Sequence, residues 1–231
     1  MPLSKYTEDV SLAETIRGEH LTFDAGAILF EPDSDDDCVY EIISGIAKAY
    51  TLNDRGEEIV HLLYGQYNIF PVTWLINKRR LEVYISALDT IEVVRYSKDD
   101  FAKAMTSNSE FALKVTARII MQLNLYAATV DNLEYKFASQ RVAYRLLFIG
   151  HRFGKVVGNA VVLPPFTNED IGRSINLSRE SVNRTMAKFI RLKLIEIKRG
   201  RIRLIDQMGL RQEVSKKKTA LFIDDFIRQQ S

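Results

Sequence analysis

The stretch TNEDIGRSINLSRESVNRTMAKF, residues 167–189, decides the fold of the C-terminal part of this chain. Thr167 is followed three positions later by Asp170, a spacing that favours a reciprocal cap at a helix N-terminus. Gly172 lies where a second helix has to approach the first closely, and Asn176 tolerates the positive φ of a tight turn better than most residues. The stretch therefore predicts two short helices joined by a tight turn.

The second of these helices is predicted to begin after Ser178, whose hydroxyl is suited to cap it. Its apolar residues recur at i, i+4, i+7 and i+8, so we expect one buried face formed by Val182, Met186, Phe189 and Ile190. The segment LIEIKRGRIRLI (194–205) predicts two short strands around a turn at Arg199 and Gly200. Helix, turn, helix and hairpin in this order predict a winged helix-turn-helix.

The opposite face of the second helix is polar, and it carries the functional prediction. An arginine can bind the O6 and N7 atoms of guanine, and a carboxylate can accept a hydrogen bond from cytosine N4 or adenine N6. We therefore predict base contacts from Arg179, Glu180, Asn183 and Arg184. An alternative role for Glu180 is local, because a carboxylate favours a helix N-terminus and pairs with an arginine four residues on.

Hydroxyl and basic side chains around these four residues are predicted to hold the DNA backbone, since phosphate contacts supply most of the affinity and salt dependence of DNA binding. The predicted backbone contacts are Thr167, Ser178, Ser181, Lys188, Arg199 and Arg201.

The charge distribution agrees with a DNA-binding C-terminal part. The net charge of +2 hides 10 Lys and Arg against 19 Asp and Glu in residues 1–107, a net of −9. Residues 139–231 hold 19 Lys and Arg against 8 Asp and Glu, a net of +11. An acidic front and a basic back indicate two parts with different partners, and the basic part is the candidate for a polyanion.

The first hundred residues are typical of a β-structure. Alternating or short apolar runs, such as IAKAYTL (46–52) and IVHLLY (59–64), are separated by turn residues such as NDRG (53–56). This pattern predicts an antiparallel β-roll or barrel.

In residues 108–138 the apolar period changes, with apolar residues spaced alternately by three and four. That spacing predicts a long helix that pairs with a copy of itself through Ile119, Leu123, Tyr126, Val130, Leu133 and Phe137. The alternative is a helix that packs on its own domain.

With these elements in place, the chain resembles the CRP/FNR superfamily of transcriptional regulators, the cyclic-AMP receptor protein-like proteins. The resemblance rests on residues 167–189 with their S-R-E-x-V-x-R core, on VYEIISGIAKAY (39–50) and on GEEIVHLLYGQY (56–67). It implies an α+β protein with an N-terminal antiparallel β-roll like a cyclic-nucleotide-binding domain, a long dimerisation helix and a C-terminal winged helix-turn-helix. It further implies a homodimer on a palindromic site, with half-sites of TGTGA or TTGA type, and RNA polymerase as a partner.

The sequence departs from the family where members that bind cyclic nucleotides hold their ligand. In residues 65–87 no Gly-Glu pair follows Gly65, and Arg79 and Arg80 lie one or two residues out of register. A shift of one residue turns a strand side chain to the other face, so this pattern argues against a response to cyclic AMP. A possible effector pocket is formed by Tyr67, Phe70 and Trp74, for which core packing is the alternative.

The residues give less support to an iron–sulfur sensor, a haem sensor or a metalloenzyme. The single cysteine, Cys38, excludes the four-cysteine iron–sulfur site that oxygen sensors of the family use. A haem-responsive regulator needs an axial ligand, for which His20, His61 and Cys38 are available but unmarked. A cupin-like metalloenzyme needs about three converging His or carboxylate ligands, and the roll lacks an H-x-H pair. We therefore predict a DNA-binding regulator that is not an enzyme, with no metal site, no assigned cofactor and an unknown effector.

The predicted organisation has four parts. Residues 1–107 form the sensor roll, 108–138 the dimerisation helix, 139–206 the winged helix and 207–231 a C-terminal tail. Ser139 is expected to cap the first helix of the winged domain. No apolar run approaches the ~18 residues that span a bilayer, and the N-terminus lacks the order of a signal peptide. A cytoplasmic protein without a membrane partner is the expectation.

Overall fold

The computed structural model describes residues 11–32, 34, 37–71 and 83–215. They belong to two compact units, which divide between Thr129 and Val130. The four-part division expected from the sequence stays a prediction.

The first unit is built on strands that pair only in antiparallel fashion among its described residues. The strands are β1 (Glu19–Phe23), β2 (Ile28–Phe30), β3 (Cys38–Ser44), β4 (Ala47–Leu52), β5 (Glu58–Tyr64), β6 (Ile69–Phe70), β7 (Tyr84–Ala87) and β8 (Ile91–Ser97). They form two four-stranded sheets with the orders β1-β8-β3-β6 and β2-β7-β4-β5. The predicted antiparallel roll is confirmed.

The turn between β4 and β5 shows how local chemistry sets the hairpin register. Gly56 has a φ of +74°, which a side chain would oppose. The Asn53 side-chain oxygen accepts hydrogen bonds from the backbone N–H groups of Arg55 and Glu57, both at 2.9 Å. This Asx-type turn is what the sequence NDRG predicts.

Two helices follow the roll, α1 (Lys98–Ser107) and the long α2 (Ser109–Glu134). Phe101 of α1 meets Phe111 of α2 edge to face, with ring centroids 5.2 Å apart, and both rings are buried in the core of the roll. Helix α2 ends at Glu134, three residues short of the predicted seam residue Phe137. Phe137 is instead the N-cap residue of the next helix.

The second unit contains α3 (Ala138–Phe153), β9 (Lys155–Val157), β10 (Ala160–Val162), α4 (Asn168–Ser174), α5 (Arg179–Arg191), β11 (Ile195–Lys198), β12 (Arg201–Leu204) and α6 (Gln207–Ser215). Its sheet has the order β11-β12-β10-β9. The predicted winged helix-turn-helix is confirmed. Helix α3 begins one residue before Ser139, so the prediction that Ser139 caps it is wrong. Residues 216–231 of the predicted tail lie outside the described residues.

A buried ion pair ties the roll to α2. Glu41 of β3 is fully buried, and Arg118 of α2 donates to its carboxylate at 2.6 Å. The Tyr96 hydroxyl donates to the same carboxylate at 2.6 Å, as does the backbone N–H of Leu12 at 3.0 and 3.1 Å. A buried charge needs a partner and further hydrogen bonds, and Glu41 has both.

We expect Arg118→Met to lower the free energy of unfolding by about 3–5 kcal/mol, because it leaves the Glu41 carboxylate buried without its cation. Chemical denaturation measures the loss. Lys114→Ala is the matched control, since Lys114 pairs with exposed Glu110 on the same helix at 3.3 Å and should cost less than about 1 kcal/mol. Adding Glu41→Gln to Arg118→Met should restore part of the stability. Equal losses for Arg118→Met and Lys114→Ala would contradict this account.

Candidate nucleic-acid interface

Helix α4 starts with the reciprocal cap that the sequence predicts. The Thr167 hydroxyl accepts a hydrogen bond from the Asp170 N–H at 3.0 Å. The Asp170 carboxylate in turn accepts from the Thr167 N–H at 2.9 Å and from its hydroxyl at 2.6 Å. The cap fixes the N-terminus of α4 and satisfies the N–H groups of Thr167 and Asp170.

The turn between α4 and α5 depends on a close backbone approach at Gly172. A Cβ atom there would lie 2.5 Å from the Leu177 carbonyl oxygen and 3.4 Å from the Val182 side chain. The Leu177 N–H donates to the Gly172 carbonyl at 3.0 Å, and Asn176 has a φ of +53°. Both the glycine and the asparagine therefore occupy the positions for which the sequence predicts them.

Helix α5 begins as predicted at the Ser178 cap, whose hydroxyl accepts from the Ser181 N–H at 3.2 Å. Val182, Met186 and Phe189 are buried as predicted, but Ile190 is 42% exposed. The prediction for Ile190 is wrong because position i+8 lies about 80° around the helix from Val182. Thr185 occupies the other flank of the buried face.

The four predicted base-contacting residues, Arg179, Glu180, Asn183 and Arg184, are all exposed in the first two turns of α5. The Glu180 carboxylate lies 3.5 Å from the Arg184 guanidinium, and these side chains are 79% and 71% exposed. An exposed pair of this kind contributes only about 0.3–0.5 kcal/mol. Glu180 therefore has a local partner in the free protein and can exchange it at little cost.

A cleft separates the N-terminal ends of α4 and α5. It is lined by Thr167, Asn168, Glu169, Arg179 and Asn183. Across it the Asn168 amide nitrogen donates to the Asn183 side-chain oxygen at 2.6 Å. Sequence reasoning did not identify Asn168, because nothing in the spacing of 15 residues marks the pair.

The predicted backbone-contacting residues divide into three groups. Thr167, Ser178 and Ser181 belong to the two helix caps. Arg199 and Arg201 are exposed on the β11–β12 hairpin, the wing, where Arg199 and Gly200 have φ values of +52° and +70°. Positive φ at both central residues is the geometry of a two-residue type I′ hairpin.

Lys188 forms the third group alone, because its ammonium has a partner within the domain. The buried carboxylate of Glu213, on α6, lies 2.7 Å away. The sequence did not reveal this contact, since Glu213 follows Lys188 by 25 residues. A phosphate would share Lys188 with this carboxylate, so its predicted role in backbone binding depends on that competition.

Helix α2 leaves an apolar stripe on the surface. Leu123 is 65% exposed and Val130 59%, and Tyr126 and Leu133 are exposed as well. Ile119, at the start of the predicted seam, is half-buried and packs partly against the core of the roll. An apolar stripe this continuous is typical of an interface between helices.

The predicted effector-pocket residues have different surroundings. Phe70 is 1% exposed and stacks on both Tyr40 and Tyr64, with centroids 5.5 Å apart in each case. Tyr67 has its ring 5.4 Å from the Arg118 guanidinium. Trp74 lies outside the described residues. The Phe70 ring is thus part of the aromatic core, and a pocket shared by the three residues stays a prediction.

The candidates for a haem or metal ligand have ordinary surroundings. His61 is hydrogen-bonded to Thr51 at 2.9 Å, and burial lowers its pKa. Cys38 is buried and accepts from the Arg95 Nε at 3.0 Å. His20 is exposed on β1. Within the described ranges, no three His, Cys, Asp or Glu side chains are placed to hold one metal ion.

Among the described residues, no helix has the length and hydropathy to cross a membrane.

Two family models match the chain. Residues 20–108 match the cyclic nucleotide-binding domain, and residues 140–213 match the Crp-like helix-turn-helix domain. The two matched segments cover the roll and the winged helix and leave the whole of α2 (Ser109–Glu134) between them.

Individual relatives extend over most of the chain. The transcriptional regulatory protein btr of Bordetella pertussis is 23% identical, over 92% of this chain and 88% of its own. The structure of FixK2 from Bradyrhizobium japonicum covers 89% of this chain and all of its own, with a TM-score of 0.75 and 19% identity. TTHA1359 of Thermus thermophilus, a transcriptional regulator of the CRP/FNR family, covers 85% and 98%, with a TM-score of 0.72 and 18% identity. At these identities the two structures show the shared fold.

We expect Gly172→Ala to lower the free energy of unfolding of the second unit by about 1–3 kcal/mol, because its methyl group would overlap the Leu177 carbonyl. Denaturation followed by helix-sensitive circular dichroism measures the change. Glu169→Ala, at an exposed position on the same helix, is the control and should change stability by less than about 0.5 kcal/mol. Equal stability of Gly172→Ala and wild type would show that the two helices have room to separate.

Proposed function

Because the chain belongs to the CRP/FNR family of transcriptional regulators, which bind DNA and are not enzymes, we propose that it acts as a homodimer on a palindromic operator. The observation that carries this proposal is the exposed polar face of α5, held by a helix-turn-helix within the basic part of the chain. We place the protein in the cytoplasm, where its DNA and RNA polymerase are. Contact with the polymerase is one route by which a bound regulator changes transcription.

The side chains in the first two turns of α5 contact the bases in this proposal. In helix-turn-helix proteins this end of the second helix enters the major groove. Arg179 and Arg184 offer paired donors for guanine, and Glu180 offers an acceptor for the amino group of cytosine or adenine. We therefore propose a half-site with a guanine-containing core, of the TGTGA or TTGA type.

Backbone contacts position this reading helix. The Ser181 hydroxyl, at the N-terminus of α5, can donate to a phosphate oxygen. The Thr167 hydroxyl donates to Asp170 and the Ser178 hydroxyl to Ser181, so these two would exchange that partner for a phosphate. Arg199 and Arg201 on the wing add cations whose contacts release counterions and make binding salt-dependent.

The apolar stripe of α2 supports pairing with a second copy. Two copies related by a two-fold axis present the same stripe to each other, and a two-fold dimer matches a palindromic site. The half-sites should then be centred about 34 Å apart, one turn of DNA. We assign Ile119, Leu123, Tyr126, Val130, Leu133 and Phe137 to this interface or its end.

We expect Arg184→Ala and Glu180→Ala each to weaken binding to the selected operator by about 10-fold to 100-fold, because each removes contacts to base edges. Binding to unrelated DNA should change much less and should stay salt-sensitive. Fluorescence anisotropy on both DNAs at several salt concentrations measures the two affinities. Arg191→Ala, at the far end of α5, is the control for loss of a positive charge. Equal loss on both DNAs would show that these side chains do not read bases.

We expect the double variant Leu123→Glu, Val130→Glu to be a monomer at micromolar concentration, because it would bring like charges together in the seam. Sedimentation equilibrium gives the mass. Leu52→Glu is the control, since Leu52 is an exposed apolar residue of β4 and the substitution adds a charge of the same sign in the roll. If the double variant is still a dimer, the dimer interface does not lie on this stripe of α2.

A further inference from the structure

A hydrogen bond between two asparagines connects the two helices of the helix-turn-helix on its exposed side. Asn168 is the first residue of α4 after its cap, and Asn183 lies in the second turn of α5. The Asn168 amide nitrogen donates to the Asn183 oxygen at 2.6 Å. This contact lies in the cleft that Arg179 also lines, so it borders the surface proposed to read bases.

The contact decides which half of the Asn183 amide is available to DNA. An asparagine amide offers an acceptor oxygen and two donor hydrogens, and its last torsion is broad and nearly two-fold. A free Asn183 can therefore present either half. With its oxygen engaged by Asn168, it presents its NH₂ group as the exposed hydrogen-bonding end.

We propose that Asn168 is a positioning residue for sequence recognition: it holds the Asn183 amide so that Asn183 donates to a base acceptor. This inference rests on the proposed DNA-binding function and adds a specificity determinant to it. The major-groove acceptors that fit are guanine O6 and N7, adenine N7 and thymine O4, whereas cytosine offers an amino donor there. One position in each half-site should therefore disfavour a cytosine facing Asn183.

The neighbouring charges leave this arrangement undisturbed. Glu169 follows Asn168 in the same turn, but its carboxylate pairs with Arg173 at 2.7 Å. Glu180 has its own partner in Arg184. The Glu169 and Glu180 carboxylates therefore have cationic partners, and the Asn168 NH₂ group donates to the Asn183 oxygen.

The test is selection of bound DNA from a random pool by the full-length protein and its variants, with sequencing of the bound fraction. Asn168→Ala and Asn183→Ala should lose the base preference at the same position of each half-site. The affinity ratio between preferred and disfavoured base there should fall by about tenfold. Preferences read by Arg179, Glu180 and Arg184 should remain. The double variant should lose no more than either single one, because the two residues act as a unit.

Two further variants separate positioning from a structural role. Asn168→Asp retains an acceptor but no donor, so the Asn183 NH₂ group should turn towards it and expose its oxygen. Its preference at that position should then shift towards bases with an amino group, cytosine or adenine. Asn159→Ala removes an exposed asparagine in the turn between β9 and β10, outside the cleft; it is the control and should retain the wild-type preference. Thermal unfolding checks that all variants are folded.

The outcomes distinguish the two levels of the proposal. A wild-type protein that selects no sequence would overturn the proposed function itself. A wild-type protein that selects a palindrome, together with an Asn168→Ala variant that keeps every base preference, would overturn only the role of Asn168. A uniform loss of affinity in Asn168→Ala without a change of preference would do the same, since it would reduce Asn168 to a structural or backbone contact.

Discussion

The close approach of α4 and α5 at Gly172 is the constraint on which the surface proposed to bind DNA depends. With the Leu177 carbonyl 2.5 Å from the place of an absent Cβ, the helices cannot come together around any larger residue. This approach forces the chain to reverse within a few residues, which Asn176 accomplishes at positive φ. The Ser178 cap then starts α5 at a fixed distance from α4. The side chains of the first two turns of α5 are therefore placed by backbone contact.

The sequence predicts this region well because its determinants are local. A cap needs residues three positions apart, the tight turn needs one asparagine, and the buried face of α5 needs an apolar period, all readable within residues 167–189. The contacts that sequence reasoning missed link residues far apart in the chain. Glu41 and Arg118 are separated by 77 residues and Lys188 and Glu213 by 25. Each of these charges looks like an ordinary surface residue until the fold brings its partner to it.

Helix α2 is a second case in which the sequence does not reveal contacts between distant residues. Its period of three and four residues marks an apolar stripe, but the orientation of that stripe depends on polar contacts with the roll. Arg118 binds Glu41, and Gln122 holds both the N–H and the carbonyl of Ile69, each at 3.1 Å. Tyr126 follows Leu123 by three positions and so lies about 60° around the helix from it, where it is less exposed than Leu123. Its hydroxyl is hydrogen-bonded to Tyr64 within the roll. A rotation of α2 that repacked the stripe would break these contacts. The packing of the proposed dimer seam therefore depends on the contacts between α2 and the roll.

Glu180 places a carboxylate between Arg179 and Arg184 on α5, and the specificity of DNA binding gives a reason for it. A helix with Arg179 and Arg184 alone would bind any phosphate backbone, and non-specific sites vastly outnumber an operator. Glu180 weakens that general attraction and holds Arg184 through an exposed ion pair that contributes little. On the proposed function, both side chains exchange this weak pair for base edges at a matching half-site, whereas at a mismatched site the carboxylate faces an acceptor and opposes binding. Glu180 would thus lower the affinity for non-specific DNA and raise it for the operator, which widens the difference between right and wrong DNA.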